Sequence, residues 1–135
     1  MTLNELSQLY WLRREVIMDA RRLVELETMT NGIGGMTATG VKDRTGTTAA
    51  KIEELRNILV DKQYKVLMER NRLEQYIASV DDSHMRQILT LRFVDGDSWQ
   101  KVAMEIGGNN TADSVRKACR RFIANQNKVV RFVRS

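Results

Sequence analysis

The sequence predicts an all-α protein, on the evidence of its composition and of two kinds of pattern. The chain of 135 residues has no proline and few aromatic residues, a composition that, with plentiful leucine, arginine, glutamate and alanine, favours helices over sheets. Apolar residues recur at heptad spacing in two long segments, and capping residues precede most of the predicted helices. The predicted architecture is a long N-terminal antiparallel helical hairpin in residues 1–80, followed by a C-terminal helix-turn-helix domain in residues 81–135.

The first long helix is predicted to run from Leu3 to Thr28. Thr2 and Glu5 form a T-x-x-E capping box at its start, in which the hydroxyl and the carboxylate satisfy backbone N–H groups of the first turn. Its apolar residues form two adjacent stripes: Leu3, Leu6, Tyr10, Ile17, Ala20 and Val24 in one, and Leu9, Leu12, Val16, Leu23 and Leu26 in the other. One partner helix cannot cover a face this wide, so we expect a homodimer through the N-terminal helices.

Residues 31–47 contain five glycines and several threonines without a helical period, which predicts a long loop that reverses the chain. Neither a preceding strand nor a following lysine supports a Walker-type phosphate loop there. Thr47 or Thr48 is the predicted cap of the second long helix, which carries apolar residues at heptad spacing. Lys62 and Glu69 interrupt that stripe; they either pair across a dimer or form a solvated local defect.

Three shorter helices are predicted in the C-terminal domain. Caps at Asp81 to Ser83 open the first, a turn at Val94 to Asp97 ends it, and Ser98 caps the second. Gly107 to Asn110 break the helical period before a third helix opens at residue 111 or 112. Their predicted inward-facing residues are Met85, Ile88, Leu89, Phe93, Trp99, Val102, Ala103, Ile106, Val115, Ala118, Cys119 and Phe122.

The outward face of the last helix is the predicted DNA-binding surface. At about 100° per residue, Lys117 and Arg120 point directly away from Val115 and are expected to reach base edges in the major groove. Asp113 has two open roles, accepting a hydrogen bond from cytosine or capping the helix. The candidate DNA-binding residues, of which those on the flanks and in the tail are placed for phosphates, are Asn110, Thr111, Asp113, Ser114, Arg116, Lys117, Arg120, Arg121, Lys128 and Arg131.

Positive charge is concentrated in the same part of the chain. The net charge is +5, but residues 98–135 hold eight lysines and arginines against Glu105 and Asp113, a net charge of +6. The first 97 residues therefore carry a net charge of −1. Such asymmetry is typical of a surface that binds a polyanion, and we expect double-stranded DNA as the partner.

Residues 86–121 resemble the DNA-binding fourth region of bacterial sigma factors. The resemblance is carried by a leucine-arginine-aromatic helix end, an acidic-glycine turn and an aromatic residue that opens the next helix, here Leu91, Arg92, Phe93, Asp95, Gly96 and Trp99. More closely, the whole chain is similar to the phage-encoded sigma-like regulators of Gram-positive hosts associated with the names ArpU and RinA. In those proteins two long helices around a glycine- and threonine-rich connection precede the same module, and MTATGVKDRTGT at Met36 to Thr47 fits that connection.

One departure from the sigma-factor pattern concerns the turn before the last helix. Gly108 to Asp113 makes this turn about two residues longer than in ordinary sigma factors. The start of the recognition helix and its register on DNA therefore do not carry over from the resemblance. What the resemblance implies is a sequence-specific transcriptional regulator, an activator of phage genes that acts in the cytoplasm of the host cell.

Other functional classes lack support in the sequence. No arrangement of residues resembles a catalytic site, because the acidic residues of the long helices alternate with basic ones, so we expect neither an enzyme nor a cofactor. The single cysteine, Cys119, is predicted to be a buried packing residue, and no metal-ligand cluster accompanies it. No apolar run approaches the length of a membrane-spanning helix, which predicts a soluble protein.

Two alternatives to a transcriptional regulator stay open. One is the small subunit of a phage DNA-packaging terminase, which also combines a helix-turn-helix with helical oligomerisation but usually places the DNA module first. The other is a sigma-like protein that binds RNA polymerase, since fourth-region modules also contact the polymerase. A ring of many subunits would favour packaging, and a monomer or dimer would favour regulation.

Overall fold

The all-α prediction is confirmed by a computed structural model, in which no strand occurs among the described residues. The structure describes the backbone of residues 1–33 and 41–134, and the side chains of residues 1–29 and 48–128. Its α-helices are α1 (Leu3–Leu6), α2 (Gln8–Ile33), α3 (Val41–Ala78), α4 (Ser83–Leu89), α5 (Trp99–Ile106) and α6 (Ala112–Arg134), with a π-helical turn at Thr90–Val94 after α4. No helix in the described part of the chain is long and apolar enough to cross a membrane.

Three of the predicted helix starts are confirmed by their capping hydrogen bonds. The Thr2 hydroxyl accepts from the backbone N–H of Glu5 at 3.2 Å, and the Asp82 carboxylate accepts from that of His84 at 3.0 Å. The Ser98 hydroxyl accepts from the Lys101 N–H at 3.2 Å. Short polar side chains in these positions satisfy amides that the first helical turn leaves without a partner, and this is why the three starts were visible in the sequence.

The predicted loop at residues 31–47 is wrong at both of its ends. Helix α2 continues to Ile33, and α3 begins at Val41 rather than at the predicted caps Thr47 or Thr48. Glycine and threonine each cost a helix about 1 kcal/mol or less, and extending an existing helix needs no new nucleation, so both long helices continue through unfavourable residues. The remainder of the predicted loop, residues 34–40, lies outside the described residues.

The first predicted helix is interrupted at one residue. Helix α1 ends at Leu6 and α2 begins at Gln8, with Ser7 between them. The Ser7 hydroxyl donates to the backbone oxygen of Leu3 at 2.8 Å. Such a bond to the carbonyl four residues earlier competes with the helical hydrogen bonds and bends or breaks the helix locally.

Residues Leu12–Leu67 form one of the two compact units of the chain. Within it, Lys62 of α3 lies 2.6 Å from the Asp19 carboxylate and 3.4 Å from that of Glu15, both on α2. Further along α2, Glu27 lies 2.7 Å from the guanidinium of Arg56. Positions rise along α2 as they fall along α3, so the two helices are antiparallel within this unit.

Both interruptions of the α3 stripe have ion-pair partners within the chain. Lys62 bonds to Asp19 and Glu15 on α2, and Glu69 bonds to Arg72 on α3 at 2.5 Å. The hydrogen bond from Lys62 to Asp19 raises the pKa of that lysine. A charge at a core-facing position is tolerated because carboxylates on the facing helix neutralise it.

The other compact unit combines Met1–Trp11 with Met68–Ser135. Its fully or almost fully buried residues come from every helix of the unit: Leu6, Leu9, Leu73, Ile77, Val80, Met85, Ile88, Leu89, Val94, Val102, Ala103, Val115, Cys119 and Ile123. The core around the last three helices therefore also uses residues that precede position 81. The predicted division into two domains, residues 1–80 and 81–135, stays a prediction.

We predict that Asp19→Asn destabilises the protein by about 1–2 kcal/mol, because it removes a charged hydrogen bond between two helices. The matched control is Asp61→Asn, whose carboxylate pairs with Lys65 at 3.3 Å on the surface of one helix, and which should cost less than about 0.5 kcal/mol. Urea unfolding of the wild type and both variants measures the difference in the free energy of unfolding. Equal losses in both variants would contradict the prediction.

The same ion pair predicts a dependence of stability on pH. Pairing raises the pKa of Lys62 in the folded state. The stabilisation that the Lys62–Asp19 pair contributes should therefore be complete at neutral pH and be lost as the pH rises through that raised pKa.

Candidate nucleic-acid interface

The turn between α4 and α5 is held by Arg92 and Trp99. In the π-helical turn the Asp95 N–H donates to the Thr90 oxygen at 2.9 Å. The Arg92 guanidinium donates to the backbone oxygen of Asp97 at 3.0 Å and lies 4.7 Å from the centre of the Trp99 ring. Gly96 has a φ of 77°, a left-handed conformation that glycine adopts readily. These contacts fix the direction in which α5 leaves the turn.

Trp99 is half-buried and fills the space beside this turn. Its ring packs edge-to-face against Phe93, with 6.3 Å between the ring centroids. The predicted packing role of Trp99 is therefore accompanied by a cation–π contact with Arg92 that the sequence did not indicate. Arg92 and Phe93 of the leucine-arginine-aromatic helix end thus form contacts within the protein that hold α4 and α5 together.

The turn between α5 and α6 is closed by its own polar side chains. Gly107 and Gly108 have φ values of 79° and 69°, which a residue with a Cβ rarely adopts. The Asn110 amide donates to the backbone oxygen of Gly107 at 2.9 Å. Asn110, a predicted DNA-binding residue, therefore shapes the turn in the free protein.

Helix α6 begins with a reciprocal cap. The Thr111 hydroxyl accepts from the Ser114 N–H at 3.1 Å, and the Ser114 hydroxyl accepts from the Thr111 N–H at 2.8 Å. Both side chains belong to the predicted DNA-binding set, and both are already engaged with the backbone. The lengthened turn thus ends in a defined cap, with Ala112 as the first helical residue.

One side of α6 is buried in the core of its unit. Val115, Cys119 and Ile123 are almost completely buried, whereas Ala118 and Phe122, also predicted to face inward, are half-buried. Burial raises the pKa of the Cys119 thiol to about 11, so the side chain is a neutral packing group at physiological pH, as predicted.

The opposite side of α6 carries the predicted base-contacting cations. Lys117, Arg120, Arg121 and Lys128 are exposed and Arg116 is half-buried. Lys117, Arg120 and Lys128 occur at helical spacings of three and eight residues, which places them along one side for roughly 16 Å. Arg120, Arg121 and Lys128 have no ion pair among the described residues, so their charge is directed at solvent.

Asp113 forms two ion pairs on the surface of α6. One carboxylate oxygen lies 3.0 Å from the Lys117 ammonium, and the other accepts a short hydrogen bond from the Arg116 guanidinium. The bond to Lys117, followed by that to Arg116, lowers the pKa of Asp113. The capping hydrogen bonds at the start of α6 are formed by Thr111 and Ser114, and the second role left open for Asp113, a contact with cytosine, stays a prediction.

The second half of α6 continues to Arg134, so the tail is helical. The Tyr76 hydroxyl on α3 donates a short hydrogen bond to the Gln126 amide oxygen, which fixes this part of α6 against its unit. Lys128 follows as an exposed residue. The side chain of Arg131 lies outside the described residues.

Two exposed residues of α5 lie beside the start of α6 but were not among the predicted DNA-binding residues. Gln100 and Met104 line an open depression of about 440 Å³ together with Gly108 and Thr111 at the start of α6. At about 100° per residue they lie opposite the buried Val102, so the same angular argument that was used for α6 would have found them. Met104 is 80% exposed, the highest exposed fraction among the large apolar side chains that the structure describes.

Comparisons with known proteins identify no relative of this chain. No protein-family model, curated protein or solved structure matches it. The candidate interface therefore depends on the residues and the geometry described above.

We predict that Thr111→Val destabilises the protein by about 1 kcal/mol, because it removes the hydroxyl that caps α6 while keeping the size and the β-branch. Thr111→Ser keeps the hydroxyl and serves as the control, with stability close to that of the wild type. Urea unfolding followed by circular dichroism measures both. A Thr111→Val variant as stable as Thr111→Ser would show that the cap contributes nothing.

Proposed function

We propose that this protein is a sequence-specific DNA-binding regulator of transcription that places α6 in the major groove. The observation that carries the proposal is the exposed line of Lys117, Arg120 and Lys128, which lies opposite the buried Val115 and Cys119. A helix with one side buried in a core and the other side basic can enter a groove without unfolding. The concentration of positive charge in residues 98–135 would attract the DNA backbone.

The two predicted types of DNA contact correspond to different positions on α6. Arg120 points away from the core in the first half of the helix, where recognition helices usually contact bases. Lys128 lies eight residues further along, roughly 12 Å nearer the C-terminus. There it would reach the phosphate backbone, which positions a protein without identifying the sequence.

The similarity to sigma-like phage regulators supports a role in activating phage genes in the host cytoplasm. A contact with host RNA polymerase belongs to the same proposal, since the resemblance is to a module that also contacts the polymerase. The alternative role in DNA packaging would require a ring of subunits, which sedimentation equilibrium would also detect.

We further propose that the protein is a homodimer through its N-terminal helices. In the unit Leu12–Leu67, Ile17 and Val24 of α2 are exposed, and so are Val60 and Leu67 of α3. Each of these exposed residues directly follows a half-buried residue of the apolar stripe. On α2 the half-buried residues are Val16 and Leu23, and on α3 they are Leu59 and Val66. One residue turns a helix by about 100°, and in an antiparallel pair equal turns lead to the same side. The four apolar residues therefore lie on one face of the pair.

This apolar face is suited to a second copy of the chain. The residues repeat every seven positions on both helices, the spacing that helical bundles use for packing. A twofold dimer would bury the face against itself and present two copies of α6 to two half-sites on DNA. The wide apolar surface that the sequence predicted on α2 thus leaves an exposed stripe after α3 has packed against it.

For assembly, we expect a wild-type dimer by sedimentation equilibrium at micromolar concentrations. Ile17→Glu should shift it towards monomer, because it would bury a charge in the interface. Met18→Glu is the matched control: Met18 is the next residue on α2 and is 61% exposed, but it points about 100° further round the helix. A monomeric wild type, or equal effects of both variants, would refute the proposed face. A ring of about eight subunits would favour packaging instead.

For DNA binding, Arg120→Ala should cost about 1–3 kcal/mol on the operator and little on random duplex, whereas Lys128→Ala should weaken both alike and reduce the salt slope by about one. The operator is first recovered by selecting bound fragments of the source genome. Binding curves for the wild type and both variants, on operator and scrambled duplexes at two salt concentrations, separate the two roles. Equal weakening of both duplexes by Arg120→Ala would mean that Arg120 contacts only the backbone.

A further inference from the structure

Asp113 is the only acidic residue of α6, and it lies on the side that carries the basic residues. Its two carboxylate oxygens engage two different cations, Lys117 at 3.0 Å and Arg116 through a short hydrogen bond. Both cations follow Asp113 by three or four residues, so both side chains turn back towards the N-terminus of α6. The carboxylate thus holds the two cations nearest the start of the helix, while Arg120 and Lys128 are not held.

The cap of α6 leaves this carboxylate free for the cations. Thr111 and Ser114 satisfy each other's backbone N–H groups, and neither bond involves Asp113. Asp113 is also 55% exposed at its side chain, so the ion pairs lie on the surface that would meet DNA. Exposed ion pairs contribute little to stability. The main effect of these ion pairs is therefore on the orientation of the two cations that they hold.

We infer that Asp113 is a positioning residue that increases the discrimination between DNA sequences. It holds the side chains of Lys117 and Arg116 in one orientation and opposes their pairing with DNA phosphates instead. The inference rests on the proposed function, because it concerns which DNA the same helix binds.

The physical reason lies in the difference between the two kinds of DNA contact. On random DNA the cations gain energy from phosphates in any geometry, and a nearby carboxylate repels those phosphates and neutralises part of the local positive charge. On the operator a base edge must be met in one geometry, so a cation already held in place loses less freedom on binding. Asp113 therefore weakens random binding more than operator binding.

The test compares Asp113→Asn with Glu105→Gln in the full-length protein. Glu105 is exposed on α5 in the same unit and has no ion pair among the described residues. Both substitutions remove one negative charge and keep the size of the side chain. Any difference between them thus comes from the location and the contacts of Asp113 on α6, and not from net charge alone.

On a random-sequence duplex, Asp113→Asn should bind more tightly than the wild type, with a salt slope steeper by about 0.9. Its advantage over the wild type should then grow about eightfold for each tenfold fall in salt concentration. The ratio of operator to random affinity should fall, because the operator gains less. Glu105→Gln should change both the slope and the ratio less. Urea unfolding of the two variants checks that neither has lost its fold.

Two results would overturn the inference in distinguishable ways. If Asp113→Asn and Glu105→Gln alter the salt slope and the affinity ratio equally, Asp113 acts only as one surface charge, and the proposed DNA binding stands. If the wild-type protein binds neither the random duplex nor any genomic fragment, the proposed function itself fails, and the inference fails with it.

Discussion

Burial of one side of α6 is the constraint on which the candidate interface depends. Val115, Cys119 and Ile123 are almost completely buried, and burying an aliphatic side chain contributes about 1.5–3 kcal/mol. An exposed ion pair contributes at most about 1 kcal/mol, so apolar packing and not charge determines how the helix is rotated about its axis. Once that rotation is set, Lys117 and Arg120 have to face solvent.

The polar residues around the start of α6 have different structural roles. Asn110 closes the turn, and Thr111 and Ser114 cap the helix. Asp113 holds cations, and Arg120 lies beyond its reach. Polar residues that are close together in the sequence therefore differ in role: some build the end of the helix, and others remain exposed on its outward side.

The two compact units differ in what they leave on the surface. On α6 four of the exposed side chains are basic, whereas the unit Leu12–Leu67 leaves apolar side chains such as Ile17 and Val60 exposed. Its helices are joined by ion pairs at Lys62 and Arg56. The unit that contains α6 also exposes apolar side chains, such as Tyr10, Trp11 and Met104, so the two units differ only in the balance of charged and apolar surface.

The sequence by itself determined the helical class, four of the helix starts and the outward side of α6. All of these are local properties, set by capping over three residues or by the helical repeat over seven. Where α2 and α3 end was not determined locally, because a long helix continues through threonine and glycine at a small cost per residue. Only the tertiary structure decided that Lys62 pairs with Asp19, that Gln126 meets Tyr76, and that residues before position 81 complete the core around α6. Such contacts join residues tens of positions apart, and the periodicity of a single helix carries no information about which side chain of another helix lies opposite.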